Sequence, residues 1–322
     1  MIKIVVPDDE PPVFAGTAEE NRLKQLGEVC IYDSRALSDE ELLNRIADAD
    51  IVVNIRATSV FSRDVMKNCP KLKLISIYGV GFDNVDIRAA SDFKITVTNT
   101  PGYSAVAVSE MSLALMLAVG RKIAQNDRTL RAGGWARGYA LQLSGKTLGV
   151  IGTGSIGQRM IQLGKSIGMK VIAWTFNPSP ERSAQHDVEF VALDELMRQS
   201  DVVSIHVLGS PQTNNLISKR ELMLMKPAAI LINTARGSIV NEQDLVEALT
   251  NGVIAGAGLD VFAQEPLPPD HPLRNLDNAV LSPHTAAMVP EATLAGLAMA
   301  VDNVIHFLQG NATNVVQPAP QQ

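Results

Sequence analysis

Cysteine is scarce. The chain carries two, Cys30 and Cys69, and neither sits in a C-x-x-C pair or at a Cys/His ligand spacing. A thiolate metal site has no support, and two buried free thiols in a reducing compartment are expected over a disulfide. Positive charge is short as well: the net charge is −6 and no long basic run occurs. That argues against nucleic acid as a partner. No apolar run reaches the roughly 18 residues of a membrane span. The N-terminus, Ile2-Lys3-Ile4-Val5-Val6-Pro7, reads as a short strand and not as a signal peptide, so a cytoplasmic protein is expected. Internal repeats and low-complexity segments are lacking too. What is present is 322 residues with 46% hydrophobic content, enough for about two globular domains with sizeable cores.

One stretch organises the rest. Thr147-Leu148-Gly149-Val150-Ile151 is a short apolar run that leads into Gly152-x-Gly154-x-x-Gly157. Ile156, Met160, Leu163 and Ile167 then recur at helical spacing. Strand, glycine turn and helix form the context of a dinucleotide site. The first glycine makes the tight turn, the second admits a pyrophosphate, and the third lets helix pack on strand. The helix N-terminus offers unpaired N–H groups and a positive dipole end to phosphates.

Strand and helix patterns alternate on both sides of this unit. Strands are predicted at 2–6, 29–32, 51–55, 73–77 and 95–97. A helix is expected near 19–26, and another starts at Ser38-Asp39-Glu40-Glu41. Residues 106–119 are apolar almost all round, which predicts a helix buried on every side between two domains. After Thr147, six strands are expected, at 148–152, 171–174, 202–206, 230–233, 254–260 and 279–281. A last helix after Pro290 places Leu294, Leu297, Val301, Val304, Ile305 and Leu308 on one face. The tail 317–322 is expected to fray. The fold class is α/β, with doubly wound parallel sheets.

Small polar clusters follow several strands, where open α/β sheets bind ligands. They are Gly79-Val80-Gly81, Asn233-Thr234-Ala235-Arg236-Gly237, Asp260 with Glu265-Pro266, and Pro283-His284. Together with Gly79 to Asp86, Asn99-Thr100-Pro101-Gly102, Gly145 to Gly149, Met225-Lys226-Pro227 and Leu259-Asp260-Val261-Phe262, they resemble the D-isomer-specific 2-hydroxyacid dehydrogenase family. The likeness spans nearly the whole chain. That family includes glyoxylate/hydroxypyruvate reductases, D-lactate dehydrogenases and 3-phosphoglycerate dehydrogenases.

The resemblance implies a Rossmann cofactor domain over 101–287. A flavodoxin-like substrate domain, 1–100 with 288–322, would face it across a cleft that closes to exclude water. It implies hydride exchange between NAD or NADP and a small 2-oxo or 2-hydroxy acid. His284 would be the acid/base, Glu265 its partner, and Arg236 the group that polarises the carbonyl and grips the carboxylate. The N–H groups of Val80 and Gly81, beside Gly79, would hold the carboxylate from the other domain. Asp260 matches the residue near the nicotinamide carboxamide. Ser155, Ile156, Thr175, His206, Val207, Thr213, Thr234, Ala235 and Val106 are cofactor neighbours by position. Arg56 resembles a phosphate-binding position of the phosphoglycerate enzymes, and Tyr78 would narrow the pocket in favour of small acids. A homodimer built partly on helix 106–119 and the Trp135 region is implied, and no metal is called for.

Two departures bear on specificity. The strand after the glycine turn ends Trp174-Thr175-Phe176-Asn177, without the acid that bonds the ribose hydroxyls in NAD sites. With Arg182 seven residues on, NADP is slightly favoured. Leu208 stands where the family often has proline, near the cofactor. A glyoxylate- or hydroxypyruvate-type reductase is the main reading. A 3-phosphoglycerate dehydrogenase, or a nicotinamide-sensing corepressor of the same fold, is the alternative. Of the other histidines, His186 is expected in solvent, and His271 and His306 in structural roles.

Overall fold

A computed structural model describes residues 1–56, 58–135 and 137–318. The last four residues of the tail expected to fray lie outside the described residues. The chain forms two compact units, Met1–Ser104 with Val289–Gln322, and Ala105–Met288.

The first unit holds a five-stranded sheet of β1 (Lys3–Val6), β2 (Glu28–Ile31), β3 (Ile51–Asn54), β4 (Leu74–Ile77) and β5 (Thr96–Thr98). All pairs are parallel, in the order 2-1-3-4-5, the flavodoxin-like winding. Both faces are covered, which is why these strands read as unbroken β-branched runs. Val5, Val52, Ile75 and Val97 face Leu42, Phe61, Val65 and Ala89. Ile4, Val6, Val53 and Leu74 face Phe14, Leu23, Leu297, Val301 and Val304. The helix Pro290–Leu308 thus belongs to this unit, and the Ser76 hydroxyl donates to Ala300 O at 2.8 Å. The middle of its apolar stripe is buried, but Leu294 and Leu308 are exposed because the stripe outruns the core at both ends. The predicted helix start at Ser38 is present: its hydroxyl accepts the Glu41 N–H and caps Asp39–Ile46. Cys69 is buried, whereas Cys30 is only half-buried, and both are free.

The second unit holds seven parallel strands: β6 (Thr147–Ile151), β7 (Lys170–Trp174), β8 (Glu189–Phe190), β9 (Val202–Ile205), β10 (Ile230–Asn233), β11 (Gly256–Leu259) and β12 (Ala279–Leu281). Their order, β12-β11-β10-β9-β6-β7-β8, is the Rossmann winding with one strand added at the end of the series. Six strands were expected; β8 escaped because two residues carry no periodicity. The helix Ala105–Gly120 packs on β10 and β11 and on the helix Ser155–Ser166. It is not buried on every side. Val106 and Leu117 are exposed along its outer stripe, since a uniformly apolar sequence cannot say which faces the unit covers. Among the described residues no helix is long and apolar enough to cross a membrane.

Candidate active site

The glycine turn after β6 is shaped by close approach. Gly152 has φ +96°, and a Cβ there would lie 2.6 Å from His206 O. A Cβ at Gly157 would lie 1.9 Å from Gly152 O, so the helix can seat on the turn only if both residues are glycine. Gly154 differs: its missing side chain faces open space, with nothing within 4 Å. It caps the helix Ser155–Ser166 without any side-chain bond. An uncapped helix start beside an open approach suits a pyrophosphate. The residues present therefore fit a dinucleotide.

At the end of β7, Arg182 joins segments far apart in sequence. Its Nη2 donates to Thr153 Oγ1 at 2.7 Å, and its Nη1 donates to Asn177 O at 2.5 Å and to Thr175 Oγ1 at 3.4 Å. The guanidinium lies 5.9 Å from the centre of the Phe190 ring. It links the glycine turn to the end of β7. His186 is half-buried, not solvated, and burial with the nearby Arg182 charge lowers its imidazole. At the end of β9, His206 bonds the Ser204 hydroxyl through Nε2 at 2.8 Å, and burial pushes its imidazole down to about 3. It is neutral at physiological pH. Val207 lies against Gly152. Thr213 is buried inside its own loop, its hydroxyl donating to Leu208 O at 2.7 Å. Thr234 is likewise occupied, with its hydroxyl 2.8 Å from that of Ser112. Ala235 is half-buried after β10, and Val106 is exposed.

Asn233, at the end of β10, went unnoticed as a functional residue, and it builds the arginine turn. Its side chain donates to Arg236 O at 2.9 Å and accepts the Ala235 N–H at 3.0 Å. The residue after the arginine must be small. A Cβ on Gly237 would lie 2.0 Å from the Phe262 carbonyl carbon, so the arginine turn rests directly on the loop that carries Glu265. Glu265 Oε1 accepts the Phe262 N–H at 3.0 Å, and Oε2 is 2.7 Å from His284 Nδ1. Burial works to raise the Glu265 carboxyl. The His284 bond, the Phe262 N–H and the charges of His284 and Arg236 outweigh it and hold the group below the usual carboxylate range.

His284 itself has φ +54°, a left-handed conformation that is uncommon outside glycine. Asp260 accounts for it. The His284 N–H donates to Asp260 O at 2.8 Å, and the Asp260 carboxylate accepts the N–H groups of Thr285 and Ala286 at 3.0 and 2.9 Å. The family resemblance puts this aspartate beside the nicotinamide carboxamide. Here its side chain is fully buried and both oxygens are engaged by backbone, which makes it the pin of the histidine turn.

In the first unit, Gly79-Val80-Gly81 leaves β4. Gly79 exchanges bonds with Thr100, N–H to Oγ1 at 2.8 Å and O from N–H at 3.0 Å. The N–H groups of Val80 and Gly81 donate to nothing among the described residues. Tyr78 packs its ring on Tyr103, with centroids 5.3 Å apart, and against the core that includes Val301. Arg56 donates through Nη2 to Pro11 O, and its buried Nε has no partner among the described residues. Among the described residues no cluster of three His, Cys, Asp or Glu could hold a metal.

A Rossmann-wound sheet with this glycine turn, and an arginine and a carboxylate-paired histidine at its strand ends, defines an oxidoreductase that uses NAD or NADP. Residues 113–286 match the D-isomer specific 2-hydroxyacid dehydrogenase, NAD binding domain. A glyoxylate reductase from Aeropyrum pernix is 40% identical over 280 residues, 84% of this chain and 83% of that protein. A D-3-phosphoglycerate dehydrogenase from Methanocaldococcus jannaschii is 39% identical over 98% of this chain, which spans 59% of that protein's length. Among solved structures, an acyclic imino acid reductase in complex with NADPH and D-Arg superposes with a TM-score of 0.89 at 31% identity, covering 98% of this chain and all of that one. The chain belongs to the D-isomer-specific 2-hydroxyacid dehydrogenase family.

Proposed function

We propose that this protein reduces a small 2-oxo acid of the glyoxylate or hydroxypyruvate type to the D-2-hydroxy acid. The observation that carries the reading is the Glu265–His284 pair, set on a loop against the arginine turn. The reduced nicotinamide, when bound, supplies the hydride to C2 of the acid. Glu265 holds Nδ1 of His284 and so fixes the ring. Nε2 then gives its proton to the carbonyl oxygen, and the ring is left neutral. Arg236 polarises that oxygen and grips the carboxylate with its planar fork. The Val80 and Gly81 N–H groups are further donors to the carboxylate. The reading draws on relatives named glyoxylate reductase, such as the Aeropyrum pernix protein, which is matched over 83% of its length.

NADPH is the slightly favoured cofactor. No acid stands at Thr175 to repel a 2′-phosphate, and Arg182 lies between Thr175 and the glycine turn. The test is a panel of 2-oxo acids, phosphorylated ones included, with NADH and NADPH, followed by loss of reduced nicotinamide absorbance. Turnover of glyoxylate or hydroxypyruvate is expected, with a lower KM for NADPH. Losing a charge-assisted phosphate contact in Arg182→Ala should raise the NADPH KM about tenfold or more, and the NADH KM only by the smaller amount that loosening the Thr153 link costs both cofactors. NADH binding at least tenfold tighter in the parent would sink the cofactor preference.

A homodimer in the cytoplasm completes the reading. Val106, Leu117, Ile123, Leu130, Trp135 and Tyr139 are exposed apolar or aromatic side chains within one stretch of the second unit, a concentration that calls for a partner surface. Two free thiols suit a reducing compartment. Sedimentation at micromolar concentration should show a dimer, and a monomer there refutes it.

A further inference from the structure

We propose that Asn99 is a positioning residue for the carboxylate-binding turn, acting through the Val80 carbonyl. The inference rests on the reading that the Val80 and Gly81 N–H groups receive the substrate carboxylate. A trans peptide sets its C=O and N–H on opposite sides. Whatever holds a carbonyl in this turn therefore aims the N–H of the next residue. The Gly79 carbonyl accepts the Thr100 N–H at 3.0 Å, which aims the Val80 N–H the other way. The Val80 carbonyl accepts Asn99 Nδ2 at 2.8 Å, which does the same for the Gly81 N–H. Both carbonyls are thus pinned from the Asn99–Thr100 segment, and the two N–H groups that face away from it have no partner among the described residues. Paired, preoriented N–H groups make an anion site without reorganisation when the anion arrives.

Asn99 is itself held through both of its backbone groups. Its N–H donates to Asn314 O at 3.1 Å, and its carbonyl accepts Nδ2 of the fully buried Asn303 at 2.9 Å. Asn303 Oδ1 in turn accepts from Asn314 Nδ2 at 2.9 Å and from Thr313 Oγ1 at 3.2 Å. The last helix and the segment after it thus fix Asn99, and Asn99 fixes the turn. A residue with only a packing role has no need of a side-chain donor aimed at that one carbonyl.

The experiment replaces the donor and keeps the shape. Asn99→Asp retains both backbone bonds but sets an acceptor against the Val80 carbonyl, while Asn99→Ala simply removes the donor and serves if the charged variant is unstable. Steady-state reduction of glyoxylate and inhibition by oxamate, a non-reacting isostere of a 2-oxo acid, are measured with cofactor affinity and melting temperature. We expect the glyoxylate KM and the oxamate Ki to rise together by about tenfold or more, as for a misaimed charge-assisted hydrogen bond. The kcat should stay within about threefold, with cofactor affinity and melting temperature near the parent's, since this donor serves ground state and transition state alike. Parent-like KM and Ki in a folded Asn99 variant overturn the proposal, as does a KM rise that only tracks a lowered melting temperature. Val80→Pro, which deletes one of the two N–H donors, tests the underlying reading by itself. If it raises KM while Asn99→Asp does not, only the positioning role of Asn99 fails. If it leaves KM and Ki unchanged, the turn does not bind the carboxylate.

Discussion

Replacing His284 should lower kcat for 2-oxo acid reduction by about three orders of magnitude, within the range that a positioned general acid supplies. The choice of replacement matters, because the residue sits at φ +54°. Alanine there adds backbone strain to the loss of the imidazole. Asparagine tolerates the left-handed region and cannot act as a proton donor of matched strength. His284→Asn should therefore show the full loss of kcat with the melting temperature and cofactor affinity of the parent. His284→Ala should show the same loss with some destabilisation. Turnover within a few-fold of the parent in the asparagine variant would remove the histidine from the chemistry. The acid side of the profile belongs to Glu265. Its folded carboxyl is held below the usual range, so its hold on the ring is fully present above the unfolded value and is lost as pH falls through the depressed one. Inactivation from this cause is expected only in acid below the ordinary carboxylate range.

Arg236→Lys should cost about a hundredfold or more in kcat/KM, of the order measured for the loss of one preorganised donor at a developing oxyanion. Lysine keeps the charge but offers a point donor in place of a fork. The turn that presents the side chain is set by Asn233 and by contact of Gly237 with Phe262, neither of which the change touches. The loss should therefore appear in both KM and kcat, because the fork serves the carboxylate in the bound state and the carbonyl oxygen as charge develops. Steady-state kinetics with glyoxylate, and oxamate inhibition in parallel, check it. A variant with parent kcat and a raised KM alone would confine Arg236 to binding the carboxylate.

The two predictions draw on different kinds of knowledge. Arg236, Glu265 and His284 stood out in the chain because each follows an apolar run within a short motif. The pairing of Glu265 with His284 could not be read that way; it came with the family resemblance, and the 2.7 Å contact is a property of the loop. Asp260 shows the same divide. Its place at the end of β11 follows from local pattern, whereas the use of its carboxylate depends on where Thr285 and Ala286 turn. Sequence spacing sets Arg182 near Thr175, whereas its bond to Thr153, on a different strand's turn, is a property of the fold.

What the residues alone determined is periodic and local. Apolar runs bounded by glycines specify strand, turn and helix, and the glycine turn after Thr147 is legible from its spacing together with the strand before it and the helix after it, because its geometry is a matter of neighbouring backbone. What tertiary structure decided is who meets whom across the chain. The exposed stripe of the helix Ala105–Gly120, the two-residue strand β8 and the bond from Asn99 to the Val80 carbonyl are of this kind. Hydrogen bonding and burial at such places are set by the packing of remote segments, and no residue's identity encodes its distant partner.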